Sequence, residues 1–197
     1  VSLIAVSTAA IGFNVMNYYG GFGESIRKAF FQVTSIITTS GFYAVDYMDW
    51  PGFSKAILFL LLFTGACAGS TAGGLKLSRI IIGLKLIKKS VRQLSHPHDV
   101  SMVKFEGKIV DKETRGYITV YMATFFIILV ISSLAIMATG FDMETSLSAA
   151  LSGLNNVGPG FGLVGHFGNY NIFNDAIKLL LSALMLIGRL EIFPVLI

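Results

Sequence analysis

The chain has 197 residues, 54% of them hydrophobic and 13% charged, with a mean hydropathy of +0.73. That composition belongs to membrane proteins and argues against a freely soluble domain or a disordered chain. The single cysteine, Cys67, excludes an internal disulfide. The net charge of +4 is unevenly spread: ten basic and four acidic residues between Lys76 and Arg115 make that stretch +6 and leave the rest at −2. A basic connection between apolar segments marks the cytoplasmic side of a membrane protein, a better account of the cluster than nucleic-acid binding.

Residues 1–13 are apolar and read as the end of a membrane helix, too short alone to cross about 30 Å of hydrocarbon. Residues 14–23 hold Asn14, Tyr18, Tyr19, Gly20 and Gly21, which suits the outer interface, where aromatic rings settle. Residues 24–37 have the pattern of a short amphipathic helix. It runs into Thr38-Thr39-Ser40-Gly41-Phe42, and polar turns with Asp46, Asp49 and Trp50-Pro51 follow. From Phe53 to about Val91 the sequence predicts one long helix, broken by Gly65-Ala66-Cys67-Ala68-Gly69-Ser70-Thr71-Ala72-Gly73-Gly74-Leu75-Lys76. Four glycines, a serine and a threonine make that break a poor helix at membrane depth. Irregular backbone survives there only where protein buries it or a wet cavity solvates it, so the loop is expected in or beside a hydrated path.

Lys85, Lys88, Lys89 and Arg92 carry the end of this segment out of the membrane. Residues 94–113, with His96-Pro97-His98, form a cytoplasmic connection. Residues 117–138 are the clearest spanning helix. Gly140-Phe141-Asp142 ends it on the outer side, and Asp142 is placed to cap a second short helix over 142–154. Asn155-Asn156-Val157-Gly158-Pro159-Gly160-Phe161-Gly162 follows. A polar outer loop then leads to a last membrane helix over 176–197, interrupted by Arg189 and Glu191. The chain opens on Val1 and closes inside an apolar run, so it is expected to be a fragment of a longer membrane protein, with no signal peptide to recognise.

An internal repeat emerges: each half, 1–93 and 114–197, reads long helix, short helix, glycine turn, long helix. At a gap-free offset of 117, Ser25 meets Asp142, Ser35 meets Ser152, Ile37 meets Leu154 and Gly41 meets Gly158. With the basic connection cytoplasmic, both short helices dip in from outside and return, the topology of a pore-loop channel. A dehydrated monovalent cation needs oxygens in place of its water, and backbone carbonyls supply them at uniform spacing. Aiming several carbonyls one way requires backbone angles that favour glycine, and the C-terminal end of a short helix favours a cation. The segments 38–42 and 156–160 fit this requirement and are loose relatives of the potassium-channel filter Thr-Val-Gly-Tyr-Gly. The competing reading makes Gly41 and Gly158 ordinary helix C-caps.

Thr38-Thr39-Ser40-Gly41-Phe42, Gly69-Ser70-Thr71-Ala72-Gly73-Gly74-Leu75-Lys76, Asn156-Val157-Gly158-Pro159-Gly160 and Gly188-Arg189-Leu190-Glu191 resemble, in order and spacing, the Trk/Ktr potassium-uptake family. The resemblance implies an all-α, polytopic membrane protein whose two M1–P–M2 units, the third and fourth of four, form half of a pseudo-fourfold ion pore. It implies Thr38, Thr39, Ser40, Gly41, Phe42, Asn156, Val157, Gly158, Pro159 and Gly160 as ion-binding filter residues for K+. It also implies a gate made by Gly69, Ser70, Thr71, Gly73, Gly74 and Lys76 of the intramembrane loop together with Arg189. The expected partners are the lipid bilayer, a second copy in a homodimer, the absent first half of the chain and a cytosolic nucleotide-binding (RCK-type) regulatory subunit. The expected location is the cell membrane. No cofactor is expected in this chain, and no enzymatic role.

Arg189 lies eleven residues past Lys178 near the outer edge of the last helix, hence about 17 Å deep. A charge at that depth faces a cavity or a partner, and the carbonyls of the glycine loop are the natural partners. Glu191, two positions on, cannot face it on one helix. The bland reading is an arginine that reaches the inner interface. From Gly69 to Gly74 the loop has Walker spacing, but Leu75 stands where the lysine belongs and no strand is expected before it. His96, His98 and His166 are too scattered for a metal site, and Ser70 has no neighbour placed to activate it. Two rival functions remain: a sodium or mixed-cation pathway of the same superfamily, and a non-conducting membrane scaffold.

Overall fold

The computed structural model describes residues 1–65, 73–95, 103–105, 107–165 and 168–190. Its elements are almost all helical. The first half contains α1 (Ser2–Asn14), the single turn α2 (Met16–Tyr19), α3 (Phe22–Ile37) and α4 (Gly52–Leu62). A two-residue strand β1 (Thr64–Gly65) and its partner β2 (Leu75–Lys76) precede α5 (Leu77–Ser95). A small hairpin, β3 (Lys104–Phe105) with β4 (Lys108–Ile109), leads into α6 (Lys112–Met137), α7 (Met143–Asn155) and α8 (Asp175–Arg189). Two single 3-10 turns, Gly162–Val164 and Tyr170–Ile172, lie between the last two helices.

The helix boundaries follow local chemistry. Asp111, Asp142 and Asn174 each accept a backbone N–H three residues on, from Thr114, Thr145 and Ile177, and so satisfy one orphan donor of α6, α7 and α8. On α3, Ser25, Ala29, Gln32, Val33 and Ile36 are buried, the spacing of one helical face. Its first turn carries Glu24, paired with Lys28 at 2.6 Å, and the Lys28 ammonium lies 3.8 Å from the centre of the Tyr19 ring. The 26 residues of α6 reach about 39 Å, enough to cross a bilayer. Among the described residues, α6 alone is long and apolar enough to do so, while α1 and α4 are shorter apolar helices.

Each half builds a triplet in which the middle helix packs against the one before it and the one after it. In the first, α3 packs against α1 and α4; Gly12 faces Ile26, and Ser25 Oγ lies 3.5 Å from the Val15 carbonyl, so α3 runs back along α1. In the second, α7 packs between α6 and α8, and every residue from Ser148 to Asn155 is buried. Ser146, Ser148, Ala149, Ala150, Ser152 and Gly153 are small enough to let the neighbouring backbones close in. The two triplets meet where α4 touches α7.

The expected broken helix over 53–91 is broken, and the manner of the break is a finding. Beyond α4 the chain leaves helical geometry, and Thr64 pairs with Leu75 and Gly65 with Lys76 in a parallel ladder. The expected connection 94–113 is shorter, because α5 runs to Ser95 and Asp111 starts α6 two residues early. It also contains the unforeseen hairpin, which Gly107 turns at φ +79° and which Lys85 holds by donating to the Lys104 carbonyl at 2.8 Å. The last helix is described to Arg189, with Leu190 as its cap.

Candidate functional site

The two short helices end in the same way. At the end of α3, Thr39 N–H donates to the Ile36 carbonyl and Ser40 N–H to the Ser35 carbonyl, both at 3.0 Å. At the end of α7, Asn156 N–H donates to the Gly153 carbonyl and Val157 N–H to the Ser152 carbonyl, both at 3.1 Å. Each residue of the first set maps onto the second at the offset of 117 read from the sequence. Thr39 and Asn156 adopt left-handed backbone, at φ 55° and 56°. This is a Schellman closure, normally made with glycine at the left-handed position. A β-branched residue there is strained by about 1–2 kcal/mol. Gly41 and Gly158 lie two residues beyond, at φ 70° and 102°. The glycines are therefore not the helix caps. Their positive φ belongs to the turns that follow.

These turns come together. A Cβ on Gly41 would collide with the Val157 carbonyl oxygen and lie 3.0 Å from Pro159 Cδ, so backbone packs on backbone across the two halves. The first turn is tied to its helix by Ser35 Oγ, which donates to the Phe42 carbonyl, and by Ser40 Oγ, 3.3 Å from the Ser35 carbonyl. Thr38 Oγ1 bonds back to the Thr34 carbonyl at 2.7 Å. In the second turn, Phe161 N–H donates to Ser148 Oγ at 2.9 Å and Leu163 N–H to Thr145 Oγ1 at 3.1 Å, which lays the returning strand on α7. Tyr170 donates to the Gly158 carbonyl at 2.6 Å, and Tyr47, from the first half, donates to the Gly160 carbonyl at 2.7 Å. No acidic or basic side chain occurs in 34–43 or 152–161. The polarity available at these turns is thus carbonyl and hydroxyl oxygen, the amides of Asn155 and Asn156, and the partially negative ends of α3 and α7.

The feet of the glycine loop rest against the start of the second turn. Asn155 is fully buried, and its Nδ2 donates to the Leu62 carbonyl, one of the orphan acceptors at the end of α4. A Cβ on Gly74, which has φ +78°, would overlap Asn155 Oδ1; one on Gly73 would lie 2.8 Å from the Asn155 carbonyl oxygen and 3.0 Å from Asn156 Nδ2. Asn156 Nδ2 in turn donates to the Met185 carbonyl on α8 at 3.0 Å. Lys76 lies in the ladder opposite Gly65. Gly69, Ser70 and Thr71 of the expected gate lie outside the described residues, as do Cys67, His96, His98, His166 and Glu191. Arg189 is exposed in the last turn of α8, next to Gly188, whose Cα sits against the Leu154 carbonyl. Among the described residues no cluster of metal-ligating side chains occurs.

Sequence reading missed Asn155, Tyr47 and Tyr170. Asn155 carries a usable signal, a polar amide at the C-terminal end of a short helix, where burial demands a partner. The tyrosines carry none, since Tyr47 lies 113 residues from the carbonyl it meets.

Comparison with known proteins agrees with this architecture. The family model TrkH, described as cation transport protein, matches residues 5–197. The Trk system potassium uptake protein TrkH of Escherichia coli K12 is 35% identical over 196 residues, all of this chain and 40% of that protein. The protein of the same name from Halomonas elongata is 40% identical over 178 residues, 87% of this chain and 35% of its own length. The crystal structure of the potassium transporter TrkH from Vibrio parahaemolyticus superposes with a TM-score of 0.87 at 32% identity, over 98% of this chain and 42% of that one. The chain thus spans about 40% of the length of these relatives. With an all-α fold and a membrane location, it belongs to the TrkH family of cation transport proteins.

Proposed function

We propose that this chain forms part of a potassium-uptake pathway in which residues 38–42 and 156–160 supply selectivity-filter oxygens. The observation that carries the reading is the paired geometry: two short helices with superimposable closures, each followed by a positive-φ glycine, meeting at Gly41 and Val157. Potassium entering there exchanges water for carbonyl oxygen, drawn by the negative ends of α3 and α7 and by the membrane potential. The whole pore requires two further units of the same kind, and the relatives' greater length leaves room for them.

In this reading the loop between β1 and β2, with Arg189, forms the barrier on the inner side of the filter. The basic stretch from Lys85 to Arg115 is cytoplasmic, which sends both short helices in from outside, and it is where a nucleotide-binding regulatory subunit docks. The working unit is a homodimer. Reversing the charges of that stretch abolishes capture of the regulator in a pull-down.

The deciding experiment is cation flux into proteoliposomes containing the full-length protein, potassium against sodium, wild type against Gly158→Asp. Loss of potassium flux in a folded variant supports the filter. Equal sodium and potassium flux in wild type replaces potassium uptake by a mixed-cation pathway. No flux in wild type with its regulator present points to a scaffold.

A further inference from the structure

The two turns are not held alike. The first is fastened by a serine of its own helix, Ser35. The second, besides Ser148 and Thr145 of its own helix, is held by tyrosine hydroxyls from outside it: Tyr170 on the Gly158 carbonyl and Tyr47 on the Gly160 carbonyl. At the offset of 117, Tyr47 corresponds to Val164 and Tyr170 to Phe53, so neither brace is a product of the repeat.

Both rings are anchored. Tyr47 is 1% exposed and meets Phe161 edge-on at 5.4 Å, and Phe161 meets Phe59 of α4 at 5.7 Å. Tyr170 packs on Phe173 at 5.9 Å, which packs on Phe141, between α6 and α7, at 4.7 Å. Burial holds both phenols above the ordinary tyrosine value, so each stays an O–H donor. A Cβ on Gly158 would meet nothing within 4 Å, so no packing at that side of the residue opposes rotation of its peptide. The Pro159 ring restrains that peptide on its far side, and the Tyr170 hydroxyl donates to its carbonyl.

Building on the filter reading above, we propose that Tyr170 and Tyr47 are selectivity-positioning residues. By holding the Gly158 and Gly160 carbonyls, they keep residues 157–160 at one spacing and prevent the turn from closing around a smaller, more strongly hydrated cation. Tyr47 also makes the second turn's geometry depend on the first half of the chain.

The test is the potassium-to-sodium permeability ratio, from reversal potentials of the full-length protein in planar bilayers. The variants are Tyr170→Phe and Tyr47→Phe, which remove one hydroxyl each and keep the ring. Tyr18→Phe, at an exposed tyrosine, is the control. The expected result is a ratio lowered about two- to tenfold in each of the first two, the worth of one ordinary hydrogen bond. Each of the two also loses some thermal stability, because a carbonyl is left without its donor, whereas Tyr18→Phe leaves the ratio, the stability and the conductance unchanged. A selective wild type whose ratio survives both substitutions, or falls equally in Tyr18→Phe, overturns the inference and leaves the filter reading standing. A wild type without selective conduction overturns both.

Discussion

Alanine at Gly41 puts one methyl group where the two halves of the chain touch. The added Cβ falls on the Val157 carbonyl oxygen and reaches Pro159 Cδ at 3.0 Å, while the backbone stays at φ 70°. Left-handed backbone costs an L-residue about 1–2 kcal/mol. Overpacking a tight contact costs about a further 1–3 kcal/mol. The total, about 2–5 kcal/mol, is a large part of the stability of a typical domain. Gly20 separates the two effects: it has φ 67°, and a Cβ there meets nothing within 4 Å. Gly20→Ala therefore carries the backbone cost alone. The assay is thermal unfolding of the full-length protein in detergent, with and without potassium. A ligand that binds only the native state raises its stability with concentration. Gly41→Ala is expected to unfold earlier than Gly20→Ala and to lose the potassium-dependent rise, which Gly20→Ala keeps. Equal midpoints for the two variants, with the rise intact in both, would refute the claim that the turns meet and bind the ion together.

Asn155→Leu keeps the volume but leaves the Leu62 carbonyl without its donor, a cost of about 1–3 kcal/mol; lowered thermal stability and a raised resting cation flux are expected, and unchanged flux would separate Asn155 from the loop. Arg189→Ala, or shortening the loop by residues 68–73, should raise flux without the regulator, and unchanged flux in both would remove the gate from the account. Asp142→Ala removes the cap of α7 at about 1 kcal/mol. Hydrogen bonds from Thr145 hold the Asp142 carboxyl below the usual aspartate range. Its contribution is present above the unfolded-state value and is lost as pH falls through the folded-state one, so the variant should flatten the stability profile below about pH 4; an unaltered acid limb would show that the cap is thermodynamically idle.

What could be read from the chain was what is written locally. Asp142 three residues before Thr145 marks the start of α7, and the spacing of buried residues marks the inner face of α3. The offset of 117 was visible in Ser35 and Ser152, and those two residues supply the carbonyls that close the helices. The left-handed caps carry no glycine to mark them: Thr39 and Asn156 take that geometry, which sets aside the competing reading of Gly41 and Gly158 as the caps. The longer-range parts had no local trace. Tyr47 reaches Gly160 and Asn155 reaches Leu62 across 113 and 93 residues. Such contacts exist only after the two triplets have packed, so no window of sequence contains both partners.

The measurement that bears most directly on the central claim is anomalous diffraction from crystals of the full-length protein grown in rubidium or thallium salts. The account predicts an anomalous peak flanked by backbone oxygens of residues 38–42 and 156–160. A peak elsewhere in the pathway, with both turns intact and no ion beside them, would contradict it.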